Sequence, residues 1–278
     1  MRTSKEVHTA VGIELVRKLA NDGVRVFTTT QAREYAPSVG LSDSYFRQAL
    51  HHLANSGWTV RLRKGLYALS PTVPGVTPAH EFEIAMALAI PAAISHWSAL
   101  HHHGLTEQVP RKVFVLTTVG SRVPRAASSQ TRPAGGGRRI GEGVYQFIQV
   151  VPRRFFGTEK VWVGDARVTI TDAERTLLDG LCRPQYCGDF AEVLHAFDVL
   201  GDRLDVERIV AYALEIDAAA VKRLGWVLEK QGVDSARLER LARFPVKGYR
   251  RLDPTGPRKG PCNRRWMIQE NLPGWTRT

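Results

Sequence analysis

Apolar side chains recur at helical spacing in the first part of the chain. Val7, Val11, Leu15 and Leu19 fall on one helix face with Val16 beside them, and the stripe stops before an Asn-Asp-Gly turn. This spacing predicts an amphipathic helix that buries the apolar stripe and ends at that turn.

The pattern changes several times over the next 50 residues. It predicts, in order, a short strand at 24–28, a helix from Thr30 to about residue 38, a turn at 40–42, a helix that Ser42 or Asp43 caps and Gly57 ends, and a hairpin of residues 58–63 and 66–69. Helix, strand, two helices and a hairpin, in that order, form a winged helix-turn-helix.

A linker is predicted at residues 70–78, where three prolines and a glycine cannot continue a helix or a central strand. It separates a winged helix-turn-helix domain at 1–69 from a second domain at 79–278. In that domain we expect helices at about 80–90 and 95–103, strands at 113–117, 144–151 and 160–170, an exposed mobile loop at 120–143, and helices at 172–182, 189–200, 205–216, 218–231 and 235–243. The predicted fold class is α+β, with a larger mixed α/β second domain whose C-terminal half is helical.

Composition sets aside several classes of protein. Hydrophobic residues make up 43% and charged residues 24% of the 278, which is typical of globular chains. No apolar run is long enough to cross a bilayer, and the N-terminus lacks the apolar core of a signal peptide. Three cysteines without a CxxC motif argue against a disulfide framework. We therefore expect a cytoplasmic protein with no membrane contact.

Charge narrows the choice of partner. The net charge is +12, and the excess of basic residues lies at 1–69 and 201–278. Such a chain favours a polyanion, and nucleic acid before membrane. Composition alone does not choose between DNA, RNA and an acidic protein.

The predicted helix at 43–56 has two distinct faces. Phe46, Ala49, Leu50, Leu53 and Ala54 form the apolar one, while Ser44, Gln48, His51 and Asn55 lie opposite, flanked by Arg47 and His52. Arg, Gln and Asn are groups that bind base edges in a major groove, and recognition helices read with their N-terminal half. We therefore predict DNA contacts by Ser44, Tyr45, Arg47, Gln48 and His51. The alternative is an ordinary solvated helix face.

The hairpin supports DNA binding over that alternative. Val60 and Leu62 alternate with Arg61 and Arg63, so the apolar side is expected to pack on the helices while Lys64 joins two arginines at the tip. A wing that grips phosphate requires this charge. Thr28 and Thr30 start a helix, where hydroxyls and free N–H groups suit a phosphate.

Some acidic residues resemble an active site. Asp172, Glu174 and Asp179 suggest acid–base chemistry or a metal, but Thr171 and Glu174 have the spacing of a capping box. Arg175 and Asp179 have the spacing of an i,i+4 ion pair. We interpret this segment as structural and predict no catalytic residue.

Metal and cofactor sites are not expected elsewhere. Adjacent residues of the tract His101-His102-His103 point about 100° apart on a helix and cannot chelate one ion. Cys182 and Cys187 are expected to be free thiols, and the glycines at 135–137 lack the Lys-Ser/Thr of a phosphate loop.

Several segments resemble one family. Residues 45–58 (YFRQALHHLANSGW) and 61–69 (RLRKGLYAL) resemble the winged helix of AbiEi-type antitoxins. Residues 95–100 (SHWSAL), 103–106 (HGLT) and the strand after 113 resemble the start of that family's C-terminal domain. Residues 168–179 (VTITDAERTLLD) are similar to its most recognisable segment.

The resemblance implies the antitoxin and autorepressor of a type IV toxin–antitoxin pair. It implies that the N-terminal domain binds inverted repeats in the operon's promoter, in double-stranded DNA. It also implies that the C-terminal domain counteracts an AbiEii-type nucleotidyltransferase toxin and assists cooperative promoter binding. The basic run at 237–265 leaves room for a further DNA contact or an acidic partner.

Two other hypotheses stay open. The first is that the chain is an enzyme, for example a phosphotransferase, that modifies its toxin or an RNA. The second is that it is a DNA-binding protein unrelated to toxins. No nucleotide-binding motif or nucleophile–base pair is visible in the sequence, which disfavours the enzyme.

Overall fold

The structure, a computed structural model that describes residues 4–119 and 136–272, contains helices and short strands, with its later half mainly helical. The helices are α1 (Ser4–Asn21), α2 (Thr29–Tyr35), α3 (Asp43–Asn55), α4 (Glu81–Leu88), α5 (His96–His102), α6 (Ala173–Cys182), α7 (Phe190–Leu200), α8 (Val206–Ile216), α9 (Ala218–Lys230) and α10 (Ser235–Ala242). The strands are β1 (Val26–Thr28), β2 (Thr59–Arg63), β3 (Leu66–Leu69), β4 (Ala92–Ile94), β5 (Val113–Thr117), β6 (Arg138–Ile140), β7 (Gly143–Gln149), β8 (Thr158–Val163), β9 (Ala166–Thr171), β10 (Arg250–Arg251), β11 (Cys262–Asn263) and β12 (Ile268–Gln269). The predicted α+β class is confirmed.

The first 69 residues follow the predicted order of elements. Strands β1, β3 and β2 form an antiparallel sheet in that spatial order, with Val26 opposite Ala68 and Val60 opposite Ala68 on its other side. The helices bury a common core against the sheet, formed by Leu15, Val16, Leu19, Phe27, Ala32, Ala36, Leu41, Phe46, Ala49, Leu50, Leu53, Leu69 and Val73. Val11, Leu15, Val16 and Leu19 of α1 therefore meet the apolar face of α3 as the spacing predicts.

The second helix starts earlier than predicted. Thr28, and not Thr30, is the N-cap of α2, because its hydroxyl accepts the Gln31 N–H at 3.1 Å and the Gln31 side chain accepts the Thr28 N–H at 2.9 Å. The helix ends at Tyr35 and continues as a 3₁₀ turn over Ala36–Val39. A reciprocal capping box of this kind fixes where a helix begins.

The underside of the wing differs from the prediction. The spacing predicts that Val60 and Leu62 pack on the helices before them, but they line a groove of about 370 Å³ whose other walls include Ile84 of α4, Ile140 of β6 and Tyr145 of β7. A Cβ placed on Gly141 would lie 3.4 Å from Val60 Cγ1. The apolar side of the hairpin therefore faces segments that follow it in the chain.

A six-stranded mixed sheet has the order β6-β7-β5-β4-β9-β8. Strand β4 is parallel to β9, with Ile94 beside Ile170, whereas β6 and β7 are antiparallel. The single strand predicted at 160–170 is two strands, because Gly164 takes a left-handed φ of 56° and turns the chain. Of the loop predicted at 120–143, residues 120–135 lie outside the described part of the chain, and residues 138–140 form β6.

The described residues divide into two compact units. The first contains residues 4–92, 119, 136–146 and 161–168, and the second contains residues 93–118, 147–160 and 169–272. The winged helix thus shares its unit with α4 and with the turn between β6 and β7. A domain boundary at residues 70–78 stays a prediction.

The second unit is built around helices α6 to α10. Leu177, Leu178 and Leu181 of α6 are fully buried, as predicted, in a core that α7, α8 and α9 share. Strands β10, β11 and β12 form a small sheet that contributes Trp266 and Ile268 to the same core. The helices begin and end within two residues of the positions that the hydrophobic spacing predicts.

Candidate nucleic-acid interface

Helix α3 exposes the polar face predicted from its sequence. Ser44, Arg47, Gln48 and His51 are exposed, while Phe46 on the opposite face has no exposed surface. Two short hydrogen bonds order this face: Ser44 Oγ lies 3.2 Å from Ser42 Oγ, and His51 Nδ1 lies 3.1 Å from the side-chain nitrogen of Asn55. The helix thus presents an arginine, an amide and an imidazole together.

Tyr45 differs from the other predicted contacts. It is half-buried, and its ring packs against the core of the winged helix. Its contact with DNA stays a prediction, and the structure gives it a packing role as well.

The wing carries its charge unevenly. Arg61 and Lys64 are exposed, but Arg63 is only partly exposed and its Nε is buried without a hydrogen-bond partner among the described residues. A β-bulge between Arg61 and Arg63 changes the strand register at this point. Two of the three predicted cations are therefore exposed.

The wing turn is joined to the start of α2. The Thr29 N–H donates to Gly65 O at 3.0 Å, and Gly65 has the left-handed φ of 76° that the turn requires. A Cβ on Gly65 would lie 3.4 Å from Thr29 Oγ1. The exposed Thr30 therefore lies one residue from the atom that anchors the wing.

The expectation of free N–H groups at the start of α2 is wrong in three positions. The N–H groups of Thr28 and Gln31 are used by the capping box, and that of Thr29 is bonded to the wing. Thr28 is half-buried, and its hydroxyl is engaged in the cap. Thr30 retains an exposed side chain, so of the two predicted phosphate contacts here only that of Thr30 has a free, exposed hydroxyl side chain, and it stays a prediction.

Sequence reasoning missed Arg33 of α2. Its Nε lies 3.1 Å from Asp43 Oδ1, and its guanidinium lies 5.1 Å from the centre of the Phe46 ring. Both partners belong to α3, so Arg33 holds the two helices of the motif together. The apolar spacing of α2 predicts only that Arg33 is exposed. It gives no sign of the contacts with Asp43 and Phe46, because these residues lie in the next helix.

The acidic side chains near residue 172 cap a helix and form ion pairs. Asp172, and not Thr171, is the N-cap of α6: its Oδ1 accepts the Arg175 N–H at 2.8 Å, and its Oδ2 accepts the Tyr212 hydroxyl at 2.9 Å. The predicted capping box is therefore wrong, since Thr171 Oγ1 instead lies 2.7 Å from Thr176 Oγ1. Burial raises the pKa of Asp172, and burial together with the Asp172 carboxylate raises the pKa of Tyr212 to about 12.

The other two acids of this segment are paired inside the protein. Arg175 Nε donates to Asp179 Oδ1 at 3.0 Å, which confirms the predicted i,i+4 ion pair, and both side chains are buried. Glu174 accepts the Asp205 N–H and pairs with Arg208. The Arg175–Asp179 pair is buried on both sides, whereas Glu174 is buried and its partner Arg208 is about half exposed, so neither carboxylate faces solvent.

The histidines near residue 100 are dispersed. His101 and His102 are exposed, whereas His103 Nε2 lies 2.7 Å from Thr171 O. His96 is buried with its Nδ1 2.9 Å from Ser95 Oγ, and burial lowers its pKa to about 4. Across residues 4–119 and 136–272, no group of three or more His, Cys, Asp or Glu side chains is placed to hold a metal ion. Over the same residues, no helix has the length and apolar character to cross a bilayer.

Comparison with known proteins identifies the winged-helix segment. Residues 14–70 match the family described as "Transcriptional regulator, AbiEi antitoxin". The resemblance seen in residues 45–58 and 61–69 is thereby confirmed for this part of the chain. No curated protein matches the sequence.

The fold is shared with a solved structure. The chain is similar to the Rv2827c protein of Mycobacterium tuberculosis, with a TM-score of 0.65 over 93% of this chain and 90% of that one. The two sequences are 16% identical, and the likeness is therefore one of fold.

Proposed function

We propose that this protein binds its own promoter as a repressor and counteracts a toxin, because residues 14–70 match the model of an AbiEi antitoxin regulator family. The promoter element is a double-stranded inverted repeat, and the toxin is an AbiEii-type nucleotidyltransferase. Both follow from the family resemblance of the sequence.

One observation carries the DNA-binding proposal. Arg47, Gln48 and His51 are exposed on one face of α3, and Arg61 and Lys64 are exposed on the hairpin of the same winged helix. Arginine and glutamine match the acceptor and donor patterns of guanine and adenine in the major groove. Cations on a wing match the phosphates beside that groove. The arrangement therefore separates base reading on α3 from backbone contact on the wing.

Within this proposal the residues differ in role. Arg47, Gln48 and His51 read bases with Ser44, while Thr30, Arg61 and Lys64 contact phosphate. Arg33 positions α3 through its bond to Asp43. Thr28, Tyr45 and Arg63 are partly buried, and they act at the edge of the interface.

Antitoxin action is assigned to the second unit. The segment at 168–179, which resembles the most recognisable part of the family's C-terminal domain, lies in this unit from residue 169 onward and forms the end of β9 and most of α6. A scaffold of this kind supports a surface that acts on the toxin or on the toxin's target.

The two roles are tested in the full-length chain. The double variant Arg47→Ala/Gln48→Ala removes two exposed side chains of α3, so promoter binding in a gel shift should be lost while growth beside the cognate toxin is still rescued. Arg17→Ala, which removes a charge from an exposed position on α1, is the control and should bind normally.

Two results would contradict the proposal. Unchanged promoter binding by the double variant would show that this face of α3 does not contact DNA. Loss of rescue together with loss of promoter binding would show that antitoxin action depends on DNA binding, and that the second unit does not act by itself.

A further inference from the structure

The second unit contains a cationic cavity of about 690 Å³ between α9 and the small sheet of β10 and β12. Its walls are formed by Asp217, Ala218, Ala219, Arg223, Tyr249, Arg250, Arg251, Pro254, Arg258 and Gln269. Four of these ten residues are arginines. The volume lies within the range of small-molecule sites, which is about 300–1,000 Å³.

The arginines divide into two that hold the wall and two that are available. Arg223 is buried and donates to Arg251 O at 3.1 Å and to Leu181 O at 3.1 Å, and the Arg251 guanidinium donates to Gly256 O at 2.6 Å. Arg250 and Arg258 are exposed, and neither forms an ion pair within residues 4–119 and 136–272. Two guanidinium groups at the mouth of the cavity therefore keep their donors for a ligand.

The single carboxylate of the lining is already engaged. Asp217 Oδ1 accepts the N–H groups of Ala219 and Ala220 at 2.8 and 2.9 Å, as the N-cap of α9. The cavity consequently has a net positive charge, which favours an anion. Guanidinium forks bind phosphate oxygens in pairs, and this geometry makes phosphate a better match than a simple halide.

An exposed aromatic ring lies beside these cations. Tyr249 is 44% exposed, one of only a few large apolar or aromatic side chains so exposed in the described chain, and it immediately precedes Arg250. An aromatic ring next to guanidinium groups is the pairing with which proteins bind a nucleobase and its phosphate together. The cavity can therefore contact the base of a nucleotide through Tyr249 and its phosphate through the arginines.

The wall that carries Arg250 is fixed to α9. Trp266 is fully buried, and its indole Nε1 donates to Glu229 Oε2 at 2.7 Å, while Trp226 Nε1 of α9 donates to Glu270 Oε1 at 2.7 Å. Two reciprocal indole–carboxylate bonds hold the sheet against the helix. A site of fixed geometry loses less entropy when it binds a ligand.

We propose that this cavity binds a nucleotide, with its phosphates on Arg250 and Arg258 and its base against Tyr249. The nucleotide is either free or the terminal residue of a single strand, since both present a phosphate beside a base. This site goes beyond promoter binding, because it lies in the second unit and requires no duplex.

The test measures binding to the full-length protein by fluorescence anisotropy and calorimetry. The probes are ATP, a short single-stranded RNA with a 5′-phosphate, inorganic triphosphate, and a short duplex DNA without the promoter sequence. We expect ATP or the single strand to bind more tightly than triphosphate, and whichever is tighter identifies the source of the nucleotide.

Variants locate the site. Arg250→Ala and Arg258→Ala should each weaken the tighter probe about tenfold, the effect of removing one charge-assisted hydrogen bond. Tyr249→Ala should weaken it about fivefold or more, while Tyr249→Phe keeps the ring and should bind normally. Arg240→Ala on α10 removes the same charge from an exposed position outside the cavity and should have no effect.

Several outcomes would overturn the proposal. No binding by any probe, or equal losses in Arg240→Ala and Arg258→Ala, would show that the cavity is not a site. Equal affinity for triphosphate and ATP, with no effect of Tyr249→Ala, would reduce it to a phosphate site. Tighter binding of the duplex than of ATP and the single-stranded RNA would show that these arginines contact duplex DNA and do not form a nucleotide site.

Discussion

The indole ring of Trp266 occupies the space that a side chain on residue 225 would need. A Cβ built on Gly225 would lie less than 3.0 Å from three carbons of the ring. Gly225 stands in the middle of α9, where glycine costs about 1 kcal/mol relative to alanine, so the helix accepts a weaker residue to let the small sheet approach.

Gly225→Ala should therefore destabilise the protein although alanine is the better helix former. We expect a loss of about 1–3 kcal/mol in the free energy of unfolding, as for overpacked cores, measured by urea denaturation. Gly12→Ala in α1 is the matched control, because its Cβ would lie 3.4 Å from Leu53 in ordinary contact. Equal stability changes for the two alanines would contradict the close approach of Trp266.

The wing should contribute to affinity without contributing to specificity. Arg61→Ala and Lys64→Ala should each reduce the slope of log affinity against log salt by about 0.9, since each removes one phosphate contact. Arg63→Ala should change the slope less, because its side chain is partly buried. The measurement is a salt titration on promoter and random DNA. A wild-type slope for Arg61→Ala would show that the wing does not contact the DNA phosphates.

Helix α3 should contribute to specificity. Gln48→Ala should weaken promoter binding by about 1–3 kcal/mol and binding to random DNA by much less, because a bidentate base contact is lost. Competition gel shifts with the two DNAs measure the difference. Equal losses would make Gln48 a phosphate contact or part of the scaffold.

His96 should make the stability of the protein depend on pH. Its pKa is lowered from 6.5 to about 4, first by burial, with Arg183 and Arg175 also lowering it and Asp179 raising it. Protons therefore bind the unfolded chain more readily, and stability present above pH 6.5 is lost as the pH falls toward 4.

The size of this effect follows from the shift in pKa. A shift of this size corresponds to about 3 kcal/mol. His96→Asn should flatten the curve between these pH values, since asparagine tolerates the left-handed φ of 50° at this position and does not titrate. Urea midpoints at several pH values measure it, and an unchanged pH profile in the variant would assign the dependence to other groups.

The winged helix should need residues beyond the end of its hairpin to reach full stability. A fragment of residues 1–70 leaves Val60 and Leu62 without the walls of their groove, and it lacks Glu83, whose carboxylate lies 3.2 Å from Arg25 Nε. A fragment of residues 1–92 restores α4 and this ion pair. We expect the longer fragment to unfold at a higher temperature in circular dichroism, and identical melting temperatures would show that α4 adds nothing.

Elements with a periodic pattern of apolar residues could be predicted from the sequence, whereas contacts between residues far apart in the sequence could not. The faces of α1, α3 and α6 follow from apolar spacing, because burial of one helix face imposes it. Strand β4 is not predicted because it follows Pro91 between two helical patterns, and β6 is not predicted because it lies in the segment whose composition predicts a loop. The groove beneath Val60 was missed because its partner Gly141 is distant in sequence.

At the site, residue type predicted the exposed face of α3 but not how each side chain is used. The hydroxyl of Thr28 was assigned to phosphate, whereas the capping box with Gln31 engages it. Thr28 and Thr30 have equivalent side chains, and only the start of the helix distinguishes them. The role of Arg33 depends on how two helices cross, which no local pattern contains.

The position of Gly141 beneath the wing also sets an order of events during synthesis. A chain emerging from the ribosome presents residues 59–69 long before residues 140–145, so the groove beneath Val60 and Leu62 lacks one of its walls until more than half of the protein has been made. A message cut short between these points would yield a polypeptide with a recognition helix but an unsupported wing. Only chains translated past β7, just over half of the 278 residues, acquire every wall of this groove, so the promoter binding proposed above would need at least that much of the chain.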